Sequence, residues 1–152
     1  MSTASGEPVG GGALEIELLV QDGLDATVSN EALVSAAAET LARIGIDRGH
    51  VAIEIVDESR IQLLNNEHRA KDAPTDVLSF PVDGEGIAAE GPAAVQALPA
   101  VELGDVVINP DHTEDMVEAV IHGVLHLCGY DHEVDDGQML ELQDQIHAGL
   151  TR

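Results

Sequence analysis

The chain has 152 residues, with 29 acidic against 6 basic side chains, and its formal net charge is −23. This length predicts one domain with a core of its own, and a hydrophobic share of 44% excludes a disordered acidic polymer. The apolar runs are shorter than the ~18 residues of a membrane span, the first residues lack the features of a secretory signal, and the single cysteine, Cys128, excludes an internal disulfide. We therefore expect a soluble protein of a reducing cytoplasm.

The acidic composition resembles that of halophilic proteins, in which acidic residues replace surface lysines. Lysine occurs once, at Lys71. At ~1 M salt the Debye length is about 3 Å, so most of the self-repulsion disappears. The alternative is an acidic surface that repels nucleic acid or binds cations. A local positive patch is still expected, because five of the six basic residues lie in one stretch of the chain, namely Arg43, Arg48, Arg60, Arg69 and Lys71.

The hydrophobic pattern predicts helices and strands interspersed along the chain. Residues 1–12 are small, Gly-rich and polar, and we expect a disordered tail before a domain over 13–152. The predicted elements, in chain order, are a strand over 14–20, a helix from its cap Ser29 to Gly45, a strand over 50–56, a helix from its cap Asp57 to about His68, a strand over 76–80, a loop over 82–100, a strand over 103–109, a helix from its cap Thr113 to Cys128, and a helix over 135–149. This order predicts a single α+β domain whose small, four-stranded mixed sheet is packed with helices.

Three histidines near the end of the chain predict a metal site. His122 and His126 are four residues apart, which places them one turn apart on the same face of a helix. The apolar residues of that helix fill the other half, which argues against buried core histidines. Gly129 ends the helix and lets the chain turn back, so His132 can reach the same point. Cys128 lies on the apolar half, and we assign it to the core.

The ligand set indicates a catalytic zinc site. Three neutral nitrogen ligands leave one tetrahedral position for water, and zinc brings the pKa of bound water to about 7. The spacing also matches that of the metzincin proteases, but Gly123 stands where their general-base Glu is found. A phosphodiester instead needs positive charge on its phosphoryl oxygens, and Arg69 and Lys71 are the available sources of that charge.

Three motifs resemble those of the YbeY family of endoribonucleases, the rRNA maturation factors. They are His122-Gly-x-x-His126-Leu-x-Gly129-Tyr130-Asp131-His132, Asn65-x-x-His68-Arg69-Ala-Lys71-Asp72-x-Pro74-Thr75-Asp76-Val77-Leu78-Ser79-Phe80-Pro81, and Leu103-Gly104-Asp105-Val106-Val107-Ile108. The resemblance covers most of the chain. It implies a compact α+β fold and one zinc ion held by His122, His126 and His132, with Arg69 as the catalytic arginine.

The same resemblance implies an activity and partners. The activity is single-strand-selective RNA cleavage, in 3′-end maturation of 16S rRNA and in ribosome quality control. The partners are RNA, the small ribosomal subunit and assembly factors. Lys71, Ser79 and Arg60 are candidate substrate contacts. We expect His50, His68, His112 and His147 to be ordinary surface or packing residues.

Two departures from the family pattern bear on the cleft and on RNA binding. The segment before the histidine helix is short, covering 110–114, and the loop over 84–100 is enlarged. The charge of −23 opposes RNA binding unless the positive patch is local and salt screens the rest. The alternatives are a metallopeptidase and a non-catalytic, zinc-stabilised ribosome-assembly factor.

Overall fold

A computed structural model describes residues 2–5, 14–24, 29–98 and 100–150 of the chain. It contains five strands and six helices, with short 3-10 turns at Gly84–Gly86 and Pro110–His112. The elements are β1 (Ser2–Ser5), β2 (Leu14–Val20), α1 (Asn30–Arg43), β3 (Gly49–Ile55), α2 (Glu58–Arg69), β4 (Val77–Pro81), α3 (Ile87–Glu90), α4 (Pro92–Gln96), β5 (Glu102–Ile108), α5 (Met116–Leu127) and α6 (Gln138–Leu150). None of the helices in this described part is long and apolar enough to cross a bilayer.

The strands form one mixed sheet in the order β1-β2-β3-β5-β4. β2, β3 and β5 run parallel, while β4 pairs antiparallel with β5 at one edge. The four predicted strands and the α+β class are confirmed. At the other edge, residues 2–5 pair antiparallel with β2, where the composition predicts a disordered tail. The other residues of the predicted tail, 1 and 6–12, lie outside the described part of the chain.

The main core lies between one face of the sheet and helices α1, α5 and α6. It is built from aliphatic side chains, methionine and the buried Cys128, with no aromatic ring among its buried residues in the described chain. On the opposite face, α2 covers a smaller apolar cluster that includes Ile61, Leu78 and Val107. Helix α5 therefore occupies the middle of the domain, where its apolar half contacts the core.

The helix starts follow side-chain capping, as predicted at two of three positions. Ser29 accepts a hydrogen bond from the Ala32 amide, and Asp57 accepts one from the Arg60 amide, so both predicted caps are confirmed. The predicted cap Thr113 is wrong, because its hydroxyl donates to the Asn109 carbonyl at 2.7 Å. Asp115 caps α5 instead, accepting from the Glu118 amide at 3.0 Å.

The segment over 82–100 is more ordered than the predicted loop. It holds a 3-10 turn and the short helices α3 and α4, and it buries Ile87 and Val95 in the main core. The Ala88 amide also donates to the Cys128 carbonyl at 3.0 Å. Its two buried aliphatic side chains therefore make this insertion part of the core, although its composition is typical of a surface loop.

Helix α5 approaches the sheet closely at Gly123. A Cβ atom there would lie 2.4 Å from Val106 Cγ1 and 3.3 Å from Val77 Cγ2. The Ser79 hydroxyl donates to the Gly123 carbonyl at 2.9 Å, which ties the helix to β4 at the same place. Glycine is therefore required for packing at this position.

We expect Gly123→Ala to lower the free energy of unfolding by about 1–2 kcal/mol, because overpacking outweighs the better helix propensity of alanine. Gly149→Ala on α6 is the matched control, since its Cβ would meet only Arg43 Nη2 at 3.7 Å. This control should raise stability by up to about 1 kcal/mol. Urea unfolding of both variants checks the prediction, and equal effects would contradict it.

On β3, His50 lies between two glutamates from the neighbouring strands. Its Nδ1 is 2.7 Å from Glu102 Oε2, and its Nε2 is 3.1 Å from Glu17 Oε1. Burial by itself lowers the pKa of His50, but the hydrogen bonds and negative charges of Glu102 and Glu17 outweigh it and raise the pKa above 6.5. In its protonated form the imidazole donates to both carboxylates and links β2, β3 and β5.

We expect the stability difference between the wild type and His50→Gln to depend on pH. A raised pKa means that the folded state favours the proton, so the contribution is complete below about pH 6.5 and is lost as the pH rises through the folded-state pKa. Urea unfolding between about pH 5.5 and 9 measures this difference. The pH dependence of this difference should vanish when Glu17 and Glu102 are both replaced by Gln. A difference that does not change with pH would contradict a raised pKa of His50.

Candidate metal centre

The structure brings His122, His126 and His132 to one point. The first two lie one turn apart on α5, and their Nε2 atoms are 3.1 Å apart. The ring of His132 has its centroid 5.3 Å from that of His122 and 5.4 Å from that of His126. One ring nitrogen from each residue lies within 4.8 Å of the others.

The turn after α5 places His132. Gly129 has a φ of 89°, a left-handed conformation that favours glycine. Its amide donates to the His126 carbonyl, and the Tyr130 amide donates to the Leu125 carbonyl, both at 3.1 Å. This pattern is a Schellman motif, which ends the helix and reverses the chain. Gly129, which the sequence predicts as the end of the helix, therefore also positions His132.

Hydrogen bonds orient the two helical imidazoles. His122 Nδ1–H donates to the side-chain Oε1 of the buried Gln143 on α6 at 2.7 Å. The ring of His126 hydrogen-bonds to the backbone of Tyr130. Because Nδ1 of His122 carries the donated proton, its Nε2 is an acceptor, and this atom faces Nε2 of His126.

Two imidazole nitrogens at this distance are held together by a shared proton or by a cation between them. Zinc–nitrogen bonds are about 2.0–2.1 Å long, so tetrahedral ligands lie about 3.3 Å apart, close to the spacing of these Nε2 atoms. Burial, followed by the neighbouring charge of His122, lowers the pKa of His126 and favours the neutral form that binds metals. The three histidines therefore fit a metal ion.

No fourth protein ligand joins the three histidines in the described part of the chain. Cys128, which follows α5, is fully buried among core residues, as predicted. Burial raises the pKa of its thiol to about 12, so it stays protonated and does not act as a thiolate ligand. A metal held here would keep a position open toward the cleft.

A cleft of about 460 Å³ opens beside the histidines. The edge strand β4 forms one wall, and the end of α2 contributes His68 and Arg69. Among the described residues that line it, Arg69 is the only arginine or lysine, while Asp76 and Glu133 are acidic. Its lining consists of His68, Arg69, Thr75, Asp76, Val77, Leu78, Ser79, Phe80, Pro81, His122, His126, His132 and Glu133.

The structure separates the candidate substrate contacts. Ser79 lines the cleft, although its hydroxyl is already donated to the Gly123 carbonyl. Arg60 and Lys71 are exposed and lie outside the lining of the described cleft. Burial and the charge of Asp105 raise the pKa of Glu54 on β3, and the charge of Arg60 offsets part of this rise. Of the five basic residues of the predicted patch, Arg69 is the one that lines the described cleft.

The sequence patterns did not predict two residues of the site, His68 and Gln143. His68 was expected to be an ordinary residue, but it lines the cleft and its ring contacts Phe80. Gln143 is buried and holds His122. A signal for Gln143 exists, because this amide lies four residues after Met139 and three before Ile146, within the apolar stripe of α6.

A second, acidic cleft adjoins the first and shares Asp76, Val77 and His122 with it. Asp115, which caps α5, lines this second cleft. Its carboxylate lies 2.7 Å from Nε2 of His147 on α6. This contact connects the two helices that carry His122 and Gln143. His147 therefore has a structural contact, as expected for a packing residue.

Comparison with known proteins places the chain among endoribonucleases. The family model "Endoribonuclease YbeY" matches residues 16–151. A protein named Endoribonuclease YbeY from Azorhizobium caulinodans is 38% identical over 156 residues, covering 90% of this chain and 92% of the relative. One of the same name from Persephonella marina is 34% identical over 141 residues, covering 83% and 86%.

The fold has a solved relative as well. The solution structure of TM1509 from Thermotoga maritima covers 89% of this chain and 88% of its own, with a TM-score of 0.50 and 27% sequence identity. The family match spans nearly all of the described domain, including the three histidines and Arg69. The chain therefore belongs to the endoribonuclease YbeY family.

Proposed function

We propose that residues 13–152 form a zinc-dependent endoribonuclease that cleaves single-stranded RNA in the cytoplasm. Its proposed role is 3′-end maturation of 16S rRNA and ribosome quality control, with the small ribosomal subunit and assembly factors as partners. The observation that carries the proposal is the convergence of His122, His126 and His132 in one cleft with Arg69. Family membership supports the activity.

Each residue of the cleft has a proposed part in phosphodiester cleavage. The three histidines would hold the zinc ion, which when bound supplies a Lewis acid and hydroxide near neutral pH. Arg69 places a planar, permanently charged guanidinium beside the phosphoryl oxygens, where it offsets the charge that develops during cleavage. Ser79 holds α5 against β4 through the Gly123 carbonyl, which keeps the histidines aligned with the cleft wall.

The candidate contacts outside the cleft have a more limited proposed role. Arg60 and Lys71 would meet RNA only where the strand leaves the cleft, because neither lines it. Ser79 remains a proposed substrate contact through its position in the wall. Since the rest of the surface is acidic, we propose that the protein works in a salt-rich cytoplasm, where screening weakens repulsion of the RNA.

The packing of Gly123 weighs against the metallopeptidase alternative. Proteases with this histidine spacing carry their general base at the corresponding position. Here any side chain at position 123 would meet Val106 at once. The helix therefore has no room for a base at that position, which supports the nuclease.

We expect Gln143→Leu to lower zinc affinity about 10–100-fold, because His122 loses the acceptor that fixes its ring and tautomer. Isothermal titration with zinc measures the affinity, and circular dichroism checks the fold. Gln145→Leu is the matched control, since Gln145 is exposed on the same helix. Equal zinc affinities of the two variants would contradict the role of Gln143.

We expect His126→Ala to abolish RNA cleavage and Arg69→Ala to lower it strongly, while the fold persists in both variants. His126→Ala should also lose bound zinc, whereas Arg69→Ala should keep it and lose about 100–1,000-fold in kcat. Metal analysis and cleavage of single- and double-stranded RNA in about 2 M KCl test both variants, since screening is strong at this salt concentration.

Arg43→Ala provides a control, because Arg43 is exposed on α1 and pairs with Glu39 at 3.2 Å. Its activity should equal that of the wild type. Undiminished cleavage by His126→Ala and Arg69→Ala would overturn the proposed function. Cleavage of peptides by the wild type would favour a metallopeptidase.

A further inference from the structure

The single phenylalanine of the chain lies in the wall of the cleft. The sequence contains one Phe, one Tyr and no Trp. Aliphatic side chains fill the described core without any buried aromatic ring. Phe80 is only half-buried on β4 and lines the same cleft as the three histidines. This protein therefore places its single phenylalanine beside its candidate active site.

A second ring meets Phe80 there. The imidazole of His68 lies with its centroid 4.7 Å from that of Phe80, and the two planes are inclined by 59°. His68 is exposed on the last turn of α2, directly before Arg69. The two rings thus adjoin the only arginine or lysine in the described lining of the cleft.

We propose that His68 and Phe80 form a stacking ledge that holds one unpaired base of the RNA next to the cleaved phosphate. The proposal rests on the proposed function and names how the same cleft selects single strands. Every base has a π-face, so stacking on aromatic rings needs no particular sequence. A base inside a duplex is covered on both faces and paired at its edge, so it cannot reach the ledge.

The charge of the cleft explains why stacking matters in this protein. Phosphate contacts supply most of the affinity in basic RNA-binding proteins and weaken as salt rises. Here Arg69 shares the lining with Asp76 and Glu133, and the whole chain carries −23. Stacking involves no net charge, so salt does not screen it. The ledge therefore provides affinity where electrostatic attraction is small.

Phe80 also packs against the small apolar cluster under α2, and the test must separate the two roles. That cluster contains Val56, Ile61, Leu78 and Val107, and Leu64 packs on it as Phe80 does. Leu64 does not line the cleft. Leu64→Ala is therefore a control that disturbs the same cluster without touching the ledge, and Phe80→Leu preserves most of the apolar packing.

The experiment pairs ledge variants with RNA that lacks single bases. The zinc-loaded wild type, Phe80→Leu, His68→Ala, their double variant and Leu64→Ala are given a short unstructured RNA and versions with an abasic ribose at each position around the cleaved bond. KM and kcat are measured at low salt and in about 2 M KCl, since the contribution of the ledge should persist under screening.

In the wild type, one abasic position should raise KM about tenfold, the size expected for one stacked base. In the double variant, the KM for the unmodified RNA should rise by the same factor. The abasic substitution should then raise KM no further. kcat and the effect of salt should change little. Leu64→Ala should keep the abasic effect of the wild type.

Two results would overturn the ledge while leaving the nuclease intact. One is an abasic effect that survives in the double variant, and the other is a loss in Leu64→Ala equal to that in Phe80→Leu. A wild type that cleaves no RNA would overturn the proposed function and the ledge together, and this outcome is recognised without any variant.

Discussion

Helix α5 both packs in the core and carries two of the three histidines, and the rest of the domain is arranged around this helix. Its apolar half fills the centre of the core, while its polar half presents His122 and His126 to the cleft. The helix can satisfy both demands only if its distance from the sheet is small and constant. Gly123 permits that distance, and the bond from Ser79 keeps it.

The histidines depend on neighbours that lie outside their helix. Gln143 on α6 accepts a hydrogen bond from His122, and the Schellman motif at Gly129 turns the chain so that His132 lies near the imidazoles of His122 and His126. These supports are buried or backbone contacts, which hold a ring more firmly than solvent-exposed side chains do. The nitrogens are therefore positioned by contacts within the packed domain.

The surface charge and the cleft make opposite contributions to RNA binding. The chain carries −23, yet its cleft combines the carboxylates of Asp76 and Glu133 with imidazoles, one guanidinium and the aromatic pair of His68 and Phe80. Coulomb repulsion acts over the Debye length, whereas ring contacts act only at van der Waals distance. A salt-rich solution screens the Coulomb repulsion and leaves the ring contacts unchanged, so an acidic protein can bind a polyanionic substrate.

Local sequence patterns predicted most of the helices and strands, the α+β class, the convergence of the three histidines and the family. They could do so because periodicity, caps and motif spacing act within a few residues along the chain. Tertiary contacts decided the rest. The pairing of residues 2–5 with β2 and the burial of Ile87 in the supposed loop depend on distant partners. The same holds for Gln143 on His122 and for His68 on Phe80. In each case the stabilising contact joins segments far apart in sequence, and only folding brings those segments together.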